Sequence, residues 1–300
     1  MGKIKLSVVI INYSSEKYLD ECLSSIKKSN FPVKNLEIIV VSNSSLNKEL
    51  KIVEEKYPQV IYIHNHENVG FSKANNIGIR RSSGQYILIL NPDTIIHKTT
   101  LFHIVDYMES HEEIGIATCL VLLSNGVIDD ACHRGFPTPW NAFCHFSGLA
   151  VLFPKSIYFN GYHLGYKNLD QIHEIDSCAG AFLMIKRTIG EKINWFDEEY
   201  FWYGEDLDLC FRVKEIGLKV VFIPQVSIMH HKGVTSGIKA HSKDISSATF
   251  EVKKRATIAR YDVMSLFYRK HYLNKYPKLI TGIVLFGISI KKYLTLLFLK

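Results

Sequence analysis

Two groups of side chains in this 300-residue chain are of the types that hold cations or move protons. The first centres on Asp93, in the run GQYILILNPDT from Gly84 to Thr94, where Tyr86 to Leu90 break sharply into Asn91-Pro92-Asp93. A buried strand that ends in such a turn presents a carboxylate, and in α/β sheets ligands collect at the carboxyl ends of the strands. The same residue types close ordinary strands, so this run alone leaves a reaction centre and a plain turn equally open. The second group is NWFDEEYFWYGEDLDLCFRVKEIG, where Glu198, Glu199, Glu205, Asp206 and Asp208 crowd beside Trp195, Trp202 and Tyr203. Leu209, Cys210, Val213 and Ile216 recur at helical spacing, which places Glu205 and Asp206 in a first turn. A helix dipole favours carboxylates there without any chemistry, but their density among aromatic faces also suits a sugar ring and its hydroxyls.

The elements that must position these groups alternate. Residues 6–13 and 36–45 read as strands, the first followed by a helix striped by Leu19, Cys22, Leu23 and Ile26 that Ser14 or Ser15 can cap. A helix near 46–57, a strand at 60–64, a loop feeding a short helix with Ala74, Ile77 and Gly78 inward, and the strand at 84–93 follow. Residues 97–116 are expected as a helix with Leu101, Ile104, Val105 and Met108 facing in, leading to the strand IGIATCLVLL. Strands alternating with helices, almost without hairpin signals, predict an α/β chain with a doubly wound, mostly parallel sheet. Residues 124–175 carry no sustained period and are where an acceptor-specific loop could lie; His133, His145, His163 and His173 fall there without metal-ligand spacing and read as packing or surface residues.

The first turn, Asn12-Tyr13-Ser14-Ser15, lacks the glycines of a dinucleotide-binding loop, and no Walker loop is present. A nucleotide must therefore be gripped by side chains and a metal. IIVVSNSS, then NVGFSKANNIGI, then the strand ending NPDT, in this order and spacing, resemble the nucleotide-sugar-binding half of family 2 glycosyltransferases of the GT-A fold. The subgroup most resembled contains rhamnosyltransferases and related hexosyltransferases of bacterial surface polysaccharides, lipopolysaccharide included. IDSCAGAFLMIKR resembles the family's Gly-Ala-Phe strand, where small residues let a sugar or acceptor approach the backbone. The resemblance covers residue 6 to the basic tail, and it divides the chain into a catalytic domain, 1–245, with a nucleotide-sugar half (1–123) and an acceptor half (124–245), and a helical tail, 246–300.

The resemblance also implies roles. Asn12, Tyr13, Ser42, Asn43, Asn68, Gly70, Asn75, Asn91, Asp93 and Arg212 would bind the donor; Glu205-Asp206 matches the motif whose aspartate is the catalytic base; and Gly180, Ala181, Trp202 and Tyr203 would meet the acceptor. Asp93 with His230 or His231 would hold a divalent cation, Mg²⁺ or Mn²⁺, on the diphosphate, the two histidines fitting equally well. One base and no covalent intermediate imply an inverting displacement of a sugar from a dTDP- or UDP-sugar to a hydroxyl of a growing, lipid-linked glycan. A non-catalytic nucleotide-sugar or glycan-binding module on the same fold is the competing class. A sugar nucleotidyltransferase would want a Gly-rich basic loop after the first strand, which is absent.

Six cysteines without a Cys-x-x-Cys pair point to neither zinc nor disulfides and fit a reducing compartment, and the N-terminus shows neither a cleavable signal nor a myristoylation pattern. The formal net charge of +7 is uneven: residues 251–300 carry eleven Lys or Arg against two acids, leaving the rest slightly acidic. That pattern speaks against a nucleic-acid surface and for a local anionic partner such as a membrane face. In the tail, Val252, Ala256, Ala259, Val263 and Phe267 form a packing stripe, with Lys253, Lys254 and Arg260 pointing elsewhere. Residues 278–300 have a longest uncharged run of 12, from 279 to 290, well short of the roughly 20 that span a bilayer. Lys278, Thr281, Gly282, Ser289, Lys291, Lys292, Thr295 and Lys300 gather on about half of the helix circumference at ~100° per residue, so an in-plane amphipathic anchor is expected. The chain is thus expected in the cytoplasm, peripheral at the inner face of a bacterial plasma membrane.

Ser42 stands where the family usually carries an aspartate that reads the pyrimidine ring, and Asn91 stands where many relatives carry a first aspartate. A serine brings a hydrogen bond but no charge. Weakened or altered base recognition is the expected outcome, checked by nucleotide competition binding; ordinary tight UDP or dTDP affinity would overturn it.

Overall fold

The computed structural model describes residues 4–44, 47–231 and 249–299. Strand β1 (Leu6–Asn12) is buried along its whole length, as its unbroken apolar run requires of a central strand covered on both faces. Helix α1 (Glu16–Lys27) buries Leu19, Cys22, Leu23 and Ile26, the stripe read from the sequence. Ser15 occupies its N-cap, but the hydroxyl turns back to donate to Asn12 Oδ1 (2.9 Å) instead of capping. Strand β2 (Leu36–Ser42), helix α2 (Lys48–Lys56), strand β3 (Ile61–His64), helix α3 (Phe71–Arg81) and strand β4 (Tyr86–Leu90) complete a parallel set in the order β3-β2-β1-β4.

Beyond β4 the sheet is mixed. Strand β5 (Thr94–Ile96), helix α4 (Thr100–Glu109) and strand β6 (Ile114–Leu123) follow, α4 burying Leu101, Ile104, Val105 and Met108. Helices α5 (Pro139–Ser147) and α6 (Leu149–Leu152), strands β7 (His173–Ile175) and β8 (Phe182–Lys186), helices α7 (Arg187–Lys192) and α8 (Glu205–Glu215), and strand β9 (Lys219–His230) complete it. β8 runs antiparallel to β4, with Leu90 opposite Phe182, and antiparallel to β6; β6 runs parallel to β9. The free edge of β9 takes β7 at its start and β5 at its end, both antiparallel. Between them the β6 register jumps from Ile223 to Ser227, so residues 224–226, beginning with a proline that has no N–H to give, bulge out of the ladder. The antiparallel pairs join strands far apart in the chain, so no tight-turn signature marked them in the sequence.

Segment 124–172, without periodicity, is held by side chains clasping backbone and one another. Trp140 Nε1 donates to Tyr158 O (2.8 Å), Asn141 Nδ2 to Phe136 O (2.9 Å) and Asn160 Nδ2 to Pro154 O (2.6 Å). Its histidines pair within the packing: His133 Nε2 with Nε2 of His173, the first residue of β7, at 2.6 Å, and His145 Nδ1 with His163 Nε2 at 2.9 Å. All six cysteines are free and buried.

Helix α9 (Phe250–His271) docks on α8 through Phe211, Phe267, Tyr268 and Tyr272, with Ala256 buried and Val252, Ala259 and Val263 half-buried. Helix α10 (Lys278–Leu297) then folds back antiparallel along α9. Tyr261 pairs with Thr295 (2.7 Å), Tyr268 with Thr281 (3.1 Å) and Lys292 with Asp262 (2.6 Å). α10 has the length and apolar character to cross a membrane, yet these contacts lay it along the domain. The half expected to face solvent divides: Thr281, Lys292 and Thr295 turn to α9 beside Val284 and Leu285, Lys278, Gly282, Ser289 and Lys291 are exposed, and Lys300 lies outside the described residues, while an apolar stripe points outward.

His133 is only 5% exposed, and burial, reinforced by His173, pushes its pKa down to about 4. Its folded pKa lies below the unfolded one, so its contribution is complete above about pH 6.5 and is lost as the pH falls toward 4. The expected loss is about 3 kcal/mol between neutral pH and pH ~4. Urea unfolding of wild type against His133→Gln checks it: the variant should lack this part of the pH dependence.

Candidate active site

β4 ends at Leu90, and the Asn91-Pro92-Asp93 turn carries the chain across the sheet to β5, whose Thr94 lies opposite His230 on β9. The backbone N–H of His231 donates to Asp93 O (2.9 Å), which locks the corner. His230 Nε2 then sits 3.2 Å from Asp93 Oδ1 and 3.4 Å from Asn91 Nδ2, while Nδ1 lies 3.3 Å from Asp129 Oδ2. Burial disfavours the imidazolium, but Asp93 and Asp129 outweigh it and raise the His230 pKa to about 9. His231 points to the other face, as strand alternation demands, with Nδ1 3.1 Å from Ser124 Oγ and Nε2 3.5 Å from Glu21. The geometry thus separates two histidines that the sequence left equal. Asp129 was invisible to sequence reasoning, since it lies in the aperiodic segment and its partner is 101 positions away.

These residues fit a divalent cation. A carboxylate oxygen and an imidazole nitrogen face each other, and a second carboxylate holds the ring from behind, the arrangement that orients a metal-ligating histidine. Among the described residues no group of three His, Cys, Asp or Glu forms a complete cage, so further ligands would come from substrate or water.

The second carboxylate cluster stands at the start of α8, as its periodicity predicted. Gly204 precedes it with φ +78°, and a Cβ there would meet Val263 of α9 at 2.2 Å, so glycine is required by both conformation and space. Glu205 is buried, its Oε2 has no hydrogen-bond partner among the described residues, and burial together with Asp206 pushes its pKa up to about 8. Asp206 Oδ1 accepts from Leu207 N–H (2.7 Å), and Oδ2 accepts from Gly180 N–H (3.3 Å) with the Arg134 guanidinium 3.8 Å away. Ala181 O accepts from Asn91 N–H (3.3 Å). The Gly180-Ala181 step therefore ties the Asp93 corner to Asp206. Trp202 and Tyr203 stack with ring centres 4.9 Å apart and 12° from parallel, Tyr203 at φ +74°.

The remaining residues expected on the donor side gather at the carboxyl ends of β1 and β2 and the start of α3. Asn12 pairs in register with Ser42; its side chain bonds Ser15 and Glu16, while Tyr13 is exposed. The Ser42 hydroxyl donates to Ser44 O (3.1 Å). Asn43 donates to Asn68 (2.9 Å) and to Gly70 O (3.3 Å), and Gly70, at φ +88°, lies so close to Phe201 that a Cβ would approach its ring to 2.7 Å. Asn75 donates to Phe71 O, leaving its buried Oδ1 without a partner among the described residues.

Arg212 is not brought to this site, contrary to the sequence expectation. Its guanidinium is committed to Asp208 (2.7 Å), Ile193 O (2.6 Å) and Trp195 O (2.7 Å). Asp208, 1% exposed, also takes His271 of α9 at 2.8 Å; burial pushes its carboxyl up, but His271 and Arg212 hold it below the usual range. Arg212 sits where helical spacing from Asp208 allows an i, i+4 pair, and that pair claims it. The residues after His231 in the motif HHKGVTSG, from 232 onward, lie outside the described residues.

Residues 7–187 match the family model described as glycosyl transferase family 2. The rhamnosyltransferase WbbL of Escherichia coli (strain K12) is 26% identical over 231 residues, covering 75% of this chain and 82% of that protein. The N-acetylglucosaminyl-diphospho-decaprenol L-rhamnosyltransferase of Mycobacterium tuberculosis (strain ATCC 25618 / H37Rv) is 22% identical over 244 residues, covering 77% and 78%. Among solved structures, the mannosyltransferase PcManGT of Pyrobaculum calidifontis, in complex with GDP-Man and Mn²⁺, superposes with a TM-score of 0.56 at 14% identity over 99% of this chain and 88% of that one.

Arg212→Ala is expected to lower stability by about 3–5 kcal/mol, because it leaves Asp208 buried with one partner fewer, while donor affinity of the folded protein stays unchanged. Thermal unfolding and donor titration separate the two; lost donor affinity at retained stability would return Arg212 to the donor site.

Proposed function

The chain belongs to glycosyl transferase family 2, and from that membership we propose an inverting transfer of rhamnose or another hexose from a dTDP- or UDP-sugar to a hydroxyl of a lipid-linked bacterial surface glycan. The observation that carries this reading is the bridge from Asn91 N–H to Ala181 O and from Gly180 N–H to Asp206, which sets the Asp93 corner and the base side by side across β4 and β8. Asp93 and His230 would hold a divalent cation, which neutralises the departing diphosphate when bound. Asp206 takes the proton of the attacking acceptor hydroxyl, and the Gly180 N–H and Arg134 fix its orientation. Glu205 remains largely protonated at neutral pH, so it does not add a second full negative charge beside the base. With one base and no nucleophile required at the anomeric carbon, the displacement is single and inverts.

The lipid-linked acceptor draws support from the mycobacterial relative, whose name specifies a diphospho-decaprenol. The basic tail and the outward apolar half of α10 support a peripheral position at the inner face of the plasma membrane. The second reading, a binding module of weak or no activity, rests on Ser42, whose hydroxyl is spent on Ser44 O.

Hydrolysis of a panel of nucleoside-diphosphate sugars with Mn²⁺ or Mg²⁺ tests the proposal. One donor is expected to turn over, and Asp93→Ala and Asp206→Asn are each expected to slow it by about 10²–10⁴-fold. Metal-dependent binding of a donor without turnover, even with acceptor supplied, would favour the binding module.

A further inference from the structure

Two surfaces hold most of the exposed large apolar side chains among the described residues, and they meet. On α10, Leu279, Ile283, Phe286, Ile290, Tyr293 and Leu297 recur at steps of four and three and are all exposed. Their direction is fixed by the opposite face, which Thr281, Lys292 and Thr295 hold against α9. The second surface is the lip formed by α5, α6 and the turns after them, where Trp140, Phe143, Val151, Leu152, Ile157 and Tyr158 are exposed, Val151 by 80% and Leu152 by 71%. The Nζ of Lys291 on α10 lies 4.3 Å from the centre of the Phe146 ring on α5, so the lip abuts the flank of the α10 stripe.

We propose that the α5–α6 lip and the outward stripe of α10 form one surface that docks on an anionic lipid bilayer. A patch of this extent on a soluble face marks an interaction site, and the chemistry around it selects lipid. The stripe alone has the spacing of a coiled-coil seam, but the positions beside it are Ile280, Gly287 and Leu294 on one flank and Gly282, Ser289 and Leu296 on the other. None carries the charge that pairs helices in register, whereas apolar flanks broaden the stripe as an interfacial helix needs. Trp140, Tyr158 and Tyr293 are ring systems with a polar tip, suited to the headgroup level. The tail supplies nine net positive charges, which complement anionic headgroups.

The lip is also joined to the base. Arg134, beside Asp206, precedes α5 by a few residues, and Gly135 N–H donates to Tyr162 O (2.9 Å) at the far end of the lip. Docking through the lip would therefore place the acceptor side of Asp206 near the membrane, a consequence that rests on the proposed transfer; the docking surface itself does not.

The test uses the full chain with phosphatidylethanolamine–phosphatidylglycerol vesicles, followed by flotation and tryptophan emission. Wild type is expected to float and its emission to shift to the blue, a shift that Trp140→Phe removes. The double variant Val151→Asp with Leu152→Asp is expected to partition about tenfold more weakly or worse, with unchanged melting temperature and unchanged donor hydrolysis in the absence of vesicles. Phe286→Asp is expected to weaken partition likewise. Wild-type partition of the lip variant would overturn the lip's part. A wild type that stays unbound and scatters light as a dimer dissolved by Phe286→Asp would overturn lipid in favour of a second copy. Loss of hydrolysis for every donor would strike the transfer reading alone.

Discussion

The short antiparallel pairing of β5 with the last turn-side residues of β9 is the constraint from which the site follows. It places Thr94 opposite His230 and so turns a strand-ending aspartate into one half of the pair proposed to hold a cation. Neither residue can reach the other by local structure, since 137 positions separate them; the three-residue ladder closes that gap. The antiparallel insertion of β8 beside β4 does the same for Asp206, through one backbone hydrogen bond from Asn91 N–H to Ala181 O and a second from Gly180 N–H to the Asp206 carboxylate.

Around that frame the chain places three carboxyl groups of one helical turn in three different environments. Asp208 is sunk in the protein and neutralised from two sides by Arg212 and His271. Glu205 is sunk without a hydrogen-bond partner for Oε2 and holds its proton to about pH 8. Asp206 stands between them at the rim, contacted by two backbone amides, those of Leu207 and Gly180, and, more distantly, by one guanidinium. Pushing Glu205 and Asp208 apart in this way sets one largely protonated carboxyl and one ion-paired carboxylate beside Asp206, and it commits to Asp208 an arginine that the sequence had offered to the substrate.

The tail joins the same structure. His271 reaches Asp208, Lys270 reaches Asp197 and Glu199, and Val263 fills the space over Gly204, so α9 braces the first turn that carries Asp206. α10 in turn offers α9 two threonines, a lysine, Val284 and Leu285, and shows an apolar stripe to the outside. The carboxylate cluster and the proposed lipid-facing surface are therefore linked through one helix.

The amino-acid sequence by itself determined the first half of the sheet, the helix stripes on α1 and α4, the strand-end position of Asp93 and the first-turn position of Glu205 and Asp206. Each is a local property, written in periodicity of two or 3.6 and in turn residues, so it is legible without partners. Only the tertiary structure decided that His230 and not His231 faces Asp93, that Asp129 stands behind it, that His271 joins Arg212 on Asp208, and that Thr281, Lys292 and Thr295 of α10 turn toward α9. These choices depend on which strand edge or helix face meets which, and such pairings, between residues tens to more than a hundred positions apart, leave no periodic trace in a single chain.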